Sequence, residues 1–382
     1  MKIALLTDGI TPYVIGGMQR HSFYLAKYLA KNEVYVDLFH FNNSYLEIND
    51  LECFTLDEKK YIKSIVLNFP SFINFPGHYI RESYTYSEII FDHLQNNLSD
   101  YDFIYAKGFT AWKLIEKKKK GLKCPPIGVN FHGYEMFQKS ADLKFFFQQI
   151  IFRKPVKWIT QNADFVFSYG KGITQIIIEL GLSQSKIIEI PTGIEDSWLN
   201  NTISINKVRH FVFVGRFERR KGIQELNAAL KNIAQKHQFV FEFIGDIPQT
   251  ERIIHNNIIY HGEIREISRI QTILKNSDFL ISPSHSEGMP NVIMEAMASG
   301  LAIIATGVGA VSDMVDASNG KVIIPGNVYL LQSAIEESIE LSDEDVLKMK
   351  LSSIEKVKNR FLWKNVISLL IEKVKSDERL HS

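Results

Sequence analysis

Residues 286–300 read Ser-Glu-Gly-Met-Pro-Asn-Val-Ile-Met-Glu-Ala-Met-Ala-Ser-Gly, and this stretch is the most informative part of the chain. Two carboxylates, Glu287 and Glu295, stand eight positions apart. Pro290 suits the first turn of a helix, so the pattern predicts a helix that carries Glu295 about two turns in. Both carboxylates can then line one side of a site. The free N–H groups of the first helical turn would add donors for hydroxyls or anions.

Three further segments place glycines beside a predicted strand. Gly16 and Gly17 follow the first strand of the chain. Residues 213–222 read Phe-Val-Gly-Arg-Phe-Glu-Arg-Arg-Lys-Gly, and residues 300–309 read Gly-Leu-Ala-Ile-Ile-Ala-Thr-Gly-Val-Gly. Glycines after a strand permit tight turns and a close approach of the backbone to a ligand.

The second of these segments also carries positive charge. Arg216 offers a planar fork for phosphate oxygens, and Lys221 offers a mobile point charge. Arg219 and Arg220 lie in the same segment, so it is also compatible with a solvated basic turn. Its position upstream of the two glutamates favours a phosphate-binding loop.

Taken in order, the four segments resemble the retaining family 4 glycosyltransferases, whose Glu-x7-Glu signature is matched by Glu287 and Glu295. The resemblance implies an α/β GT-B fold, in which two Rossmann-like, doubly wound domains face a central cleft. It implies transfer of a hexose or N-acetylhexosamine from a nucleotide-diphosphate sugar, with a UDP-sugar favoured. The acceptor would be a hydroxyl of a glycan or lipid-linked glycan in cell-surface polysaccharide synthesis. The donor is a substrate, and no metal or other cofactor is implied.

The resemblance also assigns roles to four catalytic candidates. Arg216 and Lys221 would neutralise the leaving diphosphate in place of a metal. Glu287 would bind hydroxyls of the hexose. His132, which follows a predicted strand, would lie beside the donor sugar, although a lone histidine is also compatible with a structural role.

Donor binding involves a wider set of residues. Glu295 would accept hydrogen bonds from the ribose hydroxyls, and the loop that holds Ile264 would contact the base. The full set expected to bind the donor is Gly16, Gly17, Arg216, Lys221, Ile264, Met289, Asn291 and Glu295.

The order of predicted elements indicates two α/β units. Residues 2–7, 18–31 and 34–39 suggest strand, helix and strand, and the pattern restarts at residue 210 after a polar linker. We expect an acceptor-binding domain at 1–195 and a nucleotide-sugar-binding domain at 196–360. A C-terminal helix at about 361–382 would cross back to the first domain, as the resemblance implies. Residues 41–100 are assigned only loosely.

Composition narrows the class of protein. The 382 residues are 45% hydrophobic and 23% charged with a net charge of +1, which is ordinary for a globular protein. The two cysteines suit a reducing compartment. We find neither a signal peptide nor an apolar run long enough to span a bilayer. We therefore expect a cytoplasmic protein, either soluble or bound peripherally at the inner face of the membrane.

Residues 105–171 form a basic region. They contain thirteen Lys or Arg against four Asp or Glu, with aromatic residues between them. This composition suits an anionic membrane surface, and a helix with a solvated lysine face is the alternative. Nothing else resembles a nucleic-acid-binding module, so we expect no nucleic-acid partner.

The sequence is also compatible with functions other than glycosyl transfer. Asp100-Tyr101-Asp102 matches the Asp-x-Asp pattern of metal-binding glycosyltransferases, but it precedes a strand, at the end away from the cleft. We therefore expect no metal site there. A nucleotide-sugar epimerase, a phosphorylase on the same fold, and a non-catalytic sugar-binding subunit remain open. A dehydrogenase is disfavoured because residues 9–17 lack the dinucleotide fingerprint.

Overall fold

The computed structural model describes residues 1–41, 51–73, 75 and 77–376. The last six residues of the predicted C-terminal helix, and residues 42–50 of the loosely assigned region, lie outside the described residues.

The N-terminal domain is built on a seven-stranded sheet in the order β3-β2-β1-β4-β5-β6-β7, and the described pairings are parallel. Its strands are β1 Lys2–Leu6, β2 Tyr35–Phe41, β3 Ile62–Leu67, β4 Phe103–Lys107, β5 Ile127–Asn130, β6 Phe165–Ser168 and β7 Ile187–Glu189. Its helices are α1 Gly17–Lys31, α2 Leu56–Lys59, α3 His78–Leu94, α4 Trp112–Lys119, α5 Leu143–Asn162 and α6 Lys171–Glu179.

The C-terminal domain repeats this plan with a six-stranded parallel sheet in the order β10-β9-β8-β11-β12-β13. Its strands are β8 His210–Val214, β9 Val240–Ile244, β10 Ile258–Tyr260, β11 Phe279–Ser282, β12 Ala302–Thr306 and β13 Gly320–Ile323. The helices are α7 Ile223–Ile233, α8 Ile267–Lys275, α9 Asn291–Ala298, α10 Val311–Met314, α11 Val328–Glu340, α12 Asp343–Lys356 and α13 Trp363–Ser376.

Both sheets are buried on two faces, and this explains their sequences. The central strands β4 and β12 are buried at every position, so they are nearly continuous apolar runs. In each sheet the strand order reverses next to the first strand, between β1 and β4 and between β8 and β11. Ligands of such sheets bind outside the carboxyl ends of the strands at this switch point. The topology therefore provides one ligand crevice in each domain.

The last helix returns to the first domain. On α13, the side chains of Trp363, Val366 and Ile367 are buried in one cluster with Ile3 and Leu25 of the N-terminal domain. A helical turn at Val357–Phe361 leads into it.

Three of the elements given above lie in the region that the sequence left loosely assigned: the short helix α2, strand β3 and helix α3. Strand β3 lies at the edge of the first sheet, and the 17-residue helix α3 follows it. Asp102 accepts the backbone N–H of Lys2 at 2.7 Å, at the amino end of β4. The Asp-x-Asp segment therefore lies at the end of the sheet opposite the switch point, as expected.

Candidate active site

A cavity of about 630 Å³ lies between the two domains. The first turns of α1 and the loop that follows β5 line it on one side, and loops that follow β8 and β11 line it on the other. The predicted residues that line it are Gly17, His132, Arg216, Lys221, Glu287, Met289, Asn291 and Glu295. Most of the predicted site is therefore brought to one cleft.

Glu287 lies at the centre of a charged cluster. Lys221 Nζ donates to Glu287 Oε1 at 2.6 Å, and Ser284 Oγ donates to the same oxygen at 2.8 Å. Arg220 Nη1 lies 3.5 Å from Glu287 Oε2. The residue is 6% exposed, so these contacts hold its carboxylate in a defined position.

Of the three neighbouring arginines, only Arg220 reaches this cluster. Arg219 forms a two-pronged pair with Glu225, at 2.9 and 2.7 Å, and is occupied inside its own domain. The Arg216 side chain is 79% exposed and pairs with Glu218 at 2.9 Å. Its guanidinium is therefore positioned at the mouth of the cleft rather than in its floor. The Arg220 side chain is 17% exposed, so the alternative of a solvated basic turn, which suits Arg216, does not describe Arg220.

Arg220 carries an unsatisfied donor. Its Nε donates to Glu218 at 2.8 Å, whereas its buried Nη1 has no hydrogen-bond partner among the described residues. Burial lowers the pKa of Arg220, but the charges of Glu287 and Glu135 more than offset this effect and raise it. The same Nη1 lies 3.5 Å from Glu287 Oε2 and 3.9 Å from Glu135 Oε1, so two carboxylates balance its charge although neither accepts a hydrogen bond from it.

His132 faces the cleft from the other domain. It has a φ of 59°, a left-handed conformation that is uncommon outside glycine, and is the second residue after β5. Its Nδ1 shares a hydrogen bond with the Tyr169 hydroxyl, and its buried Nε2 has no partner among the described residues. Burial and the charge of Lys107 lower the pKa of His132 well below its usual range. The imidazole is therefore neutral near pH 7.

The two domains touch at a pair of glycines. A Cβ on Gly133 would lie 2.7 Å from the Cα of Gly288, so neither loop could approach with a side chain there. Gln138 spans the same gap, because its Nε2 donates to the carbonyl oxygens of Gly133 at 2.7 Å and Glu287 at 2.6 Å. The first domain thus positions the backbone of Glu287.

Glu295 is closer to the helix start than the sequence predicted. Helix α9 begins at Asn291, with Pro290 as its N-cap, so Glu295 is its fifth residue, just over one turn in. Arg20 of α1 donates to Glu295 Oε1 at 2.5 Å. This ion pair joins the two domains beside the cleft.

Two predicted residues do not line the cleft. Gly16 is the N-cap of α1, and a Cβ there would lie 2.1 Å from Gln19 Oε1. Ile264 is half-buried after β10 and packs against the apolar core.

Two family models match the chain. The model described as "Glycosyltransferase Family 4" matches residues 15–198, and the one described as "Glycosyl transferases group 1" matches residues 208–340. The chain belongs to the family 4 glycosyltransferases. Its two parallel sheets with flanking helices form the GT-B fold of such enzymes.

Curated relatives and a solved structure agree with this family. An uncharacterized glycosyltransferase of Methanocaldococcus jannaschii is 26% identical over 377 residues, which cover 96% of each chain. The capsular polysaccharide biosynthesis glycosyltransferase CapM of Staphylococcus aureus is 26% identical over 179 residues, covering 44% of this chain and 47% of CapM. The fold is similar to sucrose-phosphate synthase from Thermosynechococcus elongatus, with a TM-score of 0.77, 18% identity and 100% coverage of both chains.

The described residues were compared with the requirements of a metal site and of a membrane-spanning helix, and they meet neither. They contain no cluster of three or more His, Cys, Asp or Glu that could hold a metal ion. None of their helices is both long and apolar enough to cross a membrane.

Proposed function

We propose that this glycosyltransferase transfers a hexose or N-acetylhexosamine, with retention, from a nucleotide-diphosphate sugar to a hydroxyl of a glycan or lipid-linked glycan. The acceptor would belong to cell-surface polysaccharide synthesis, and the reaction would proceed without a metal ion at the cytoplasmic face of the membrane. A UDP-sugar is the donor to test first.

The convergence of positive groups on Glu287 supports this proposal most strongly. Lys221 and Arg220 contact its carboxylate, and Arg216 lies at the mouth of the same cleft. The N-terminus of α9 faces the cleft through Pro290 and Asn291. Cations and a helix N-terminus together suit a diphosphate.

The bond changes follow from this arrangement. The bond between the anomeric carbon and the phosphate oxygen breaks, and its electron pair goes to the diphosphate. Lys221 and Arg220 stabilise the charge that develops there, which is the largest effect we assign to the site. The acceptor oxygen bonds to the anomeric carbon on the same face, and its proton passes to the leaving phosphate. Glu287 and the free Nε2 of His132 hold hydroxyls of the transferred sugar.

The ribose is assigned to Glu295. Arg20 already contacts Glu295 Oε1, so the ribose diol would bind the other oxygen or compete with Arg20. If the ribose binds the other oxygen, Arg20 orients the carboxylate. If the ribose competes with Arg20, nucleotide binding weakens a contact between the two domains.

The proposal predicts that a nucleoside diphosphate raises the melting temperature of the protein in the presence of a chelator. A ligand that binds only the folded state at 100 times its dissociation constant stabilises by about 2.7 kcal/mol. We would compare UDP, GDP and their sugars, with inorganic pyrophosphate as the control for binding through charge alone. If no nucleotide shifts the melting temperature, the proposed donor site is wrong.

Product analysis separates the alternatives. A transferase releases nucleotide faster when an acceptor is present and does not need inorganic phosphate. A phosphorylase requires phosphate, an epimerase changes the donor sugar without transfer, and a non-catalytic subunit binds the nucleotide without turnover.

The proposed membrane contact is an apolar patch with basic neighbours. The patch comprises Phe147, Ile150 and Ile151 of α5, with exposures of 66%, 41% and 40%, and Ile73 and Phe75 before α3. The two segments adjoin, because a Cβ on Gly77 would lie 3.7 Å from Ile151 Cγ2. Exposed Lys154 and Lys157 follow on α5. A charged rim around apolar side chains suits an anionic bilayer.

Some of the basic residues at 105–171 are buried or paired with acidic side chains. Lys107 is 1% exposed, Lys113 pairs with Glu88 at 2.7 Å, and Lys118 pairs with Asp164 at 2.6 Å. These three residues are therefore unsuited to bind lipid. The side chain of Lys144 lies outside the described residues.

We expect the protein to cosediment with phosphatidylglycerol vesicles at low salt and to be released at high salt, where surface charges are screened. The double substitution Phe147→Asp and Ile150→Asp should abolish binding. Ile254→Asp, at a residue that is 99% exposed in the other domain, is the matched control. Absence of binding at low salt would remove the membrane proposal and leave the transferase proposal intact.

A further inference from the structure

The imidazole of His132, which lines the cleft, has one paired and one unpaired nitrogen. Its Nδ1 shares a hydrogen bond with the hydroxyl of Tyr169, and its buried Nε2 has no partner among the described residues. A neutral imidazole carries one N–H and one bare nitrogen. The nitrogen that holds the proton decides whether the unpaired Nε2 offers a ligand a donor or an acceptor, and the hydrogen bond at Nδ1 sets this choice.

Asn130, the last residue of β5, fixes the direction of the hydrogen bonds around Tyr169. The backbone N–H of His132 donates to the Asn130 side chain at 2.7 Å, so the atom that it meets is the amide oxygen. The amide nitrogen therefore faces the tyrosines, and it donates to the Tyr105 hydroxyl at 2.9 Å. Burial raises the pKa of Tyr169 well above its ordinary value, against the effect of a hydrogen bond from Asn130. The Tyr169 hydroxyl therefore keeps its proton, and its oxygen accepts from Asn130.

The two neutral forms of His132 leave different numbers of buried groups unpaired. With the proton on Nε2, the Tyr169 O–H donates to Nδ1, and within this pair of side chains only Nε2–H lacks a partner among the described residues. With the proton on Nδ1, the Tyr169 oxygen would accept it, and the Tyr169 O–H would have no acceptor in the described part of the chain. The bare Nε2 would then be unpaired as well. Because an unpaired buried polar group is costly, the form with the proton on Nε2 is favoured.

A basic neighbour keeps the His132 ring neutral. The Nζ of the buried Lys107 lies 2.7 Å from His21 Nδ1, and the ring centroids of His21 and His132 lie 5.2 Å apart. Burial lowers the pKa of His132 well below its ordinary range, and the charge of Lys107 lowers it further. A second proton on the ring is therefore disfavoured, and Nδ1 stays an acceptor for Tyr169.

We propose that Tyr169 is a positioning residue that holds His132 as a neutral hydrogen-bond donor, so that its Nε2–H binds an oxygen atom of the transferred sugar. Glu287 accepts hydrogen bonds and His132 donates one, so the two side chains make complementary contacts with the sugar. A hydroxyl, an N-acetyl carbonyl or a carboxylate can accept from Nε2–H, whereas a deoxy carbon or an ammonium cannot. The inference rests on the proposed donor site for its meaning, but the position of the proton can be measured without a ligand.

Nitrogen-15 NMR of the full chain, with labelled histidine at neutral pH, reports the position of the proton. His132→Leu identifies the His132 signals among those of the eleven histidines. We expect the proton on Nε2 and, at Nδ1, the chemical shift of a nitrogen that accepts a hydrogen bond. Tyr169→Phe should move the Nδ1 signal toward that of a nitrogen without a hydrogen bond. Tyr134→Phe, which removes a buried hydroxyl 3.0 Å from Thr160 Oγ1, is the matched control and should leave the His132 signals unchanged.

A double-substitution cycle tests whether Tyr169 acts through His132. The ligands are the nucleotide sugar that stabilises the protein most and the same nucleotide without the sugar. Tyr169→Phe should weaken binding of the nucleotide sugar by about two- to tenfold, the effect of one neutral hydrogen bond, and should leave binding of the bare nucleotide unchanged. In the His132→Leu background it should cause no further loss, because leucine has no nitrogen for the hydroxyl to orient. A merely structural role would cost the same in both backgrounds.

The inference is overturned if His132 is cationic or carries its proton on Nδ1. It is also overturned if Tyr169→Phe leaves the affinity for the nucleotide sugar unchanged, or lowers it equally in the two backgrounds. Failure of every nucleotide to bind contradicts the donor site instead, and the NMR comparison of the wild type with Tyr169→Phe then decides the inference.

Discussion

Replacing Lys221 by Met is expected to slow the release of nucleotide from the donor sugar by about 10²–10³-fold, the effect of removing one preorganised group that stabilises developing charge. Lys221 Nζ lies 2.6 Å from Glu287, and the Lys221 side chain is 16% exposed. Methionine keeps the length of the side chain and removes the charge. Because the ammonium also attracts the diphosphate in the ground state, nucleotide affinity should fall as well.

Glu287→Gln should affect the rate of nucleotide release and the affinity for nucleotide differently. The amide cannot accept the sugar hydroxyls as a carboxylate does, so the release of nucleotide should fall by a similar factor. In the wild type, Lys221 and Arg220 lie 2.6 and 3.5 Å from the Glu287 carboxylate. Without that negative charge, both cations can interact more strongly with the diphosphate. The affinity for the nucleoside diphosphate alone should therefore hold or rise.

The measurement is steady-state nucleotide release together with the melting shift for the bare nucleotide, on both variants. Lys231→Met, at an exposed lysine of α7, is the matched control and should behave as the wild type. Near-normal turnover in both Lys221→Met and Glu287→Gln would contradict the assignment of the catalytic cleft.

The sequence predicted the elements whose apolar pattern is strong and missed those that bury polar groups. Strand β1 and helix α1 lie within one residue of the predicted bounds at each end. Helix α3 buries Glu82, Ser83 and Ser87, so its apolar periodicity is broken along the buried face. Polar burial of this kind needs tertiary partners, such as the N–H of Phe72 on Glu82, which local pattern cannot supply.

The same distinction applies to the candidate site. Glu287, Lys221 and Glu295 belong to contiguous motifs, so the sequence could single them out. Arg20 and Gln138 act on these motifs from 275 and 149 positions away, and no local spacing indicates such a contact. Arg220 lies in a motif that the sequence singled out, but the sequence does not distinguish it from Arg219. The fold does, because Arg219 forms an ion pair with Glu225 of the same domain.

The C-terminal domain should be destabilised strongly by Lys350→Met. Lys350 on α12 is 2% exposed, and its Nζ donates to Asp278 Oδ1 at 3.0 Å and to the Ser277 carbonyl at 2.9 Å. Asp278 is fully buried and immediately precedes β11, the strand that leads to Glu287. Removing one partner of a buried pair leaves an uncompensated charge and costs about 3–5 kcal/mol. The free energy of unfolding, measured in urea, should fall by that amount.

The same helix provides the control for this prediction. Lys348 pairs with Glu344 at 2.7 Å, but the two side chains are 65% and 76% exposed, so Lys348→Met should change stability by less than about 1 kcal/mol. Adding Asp278→Asn to Lys350→Met should recover part of the loss, because the unpaired charge is then gone. If Lys350→Met costs no more than Lys348→Met, the buried pair does not stabilise the domain. The position of Glu287 would then have to depend on its contacts with Gln138 and Ser284 instead.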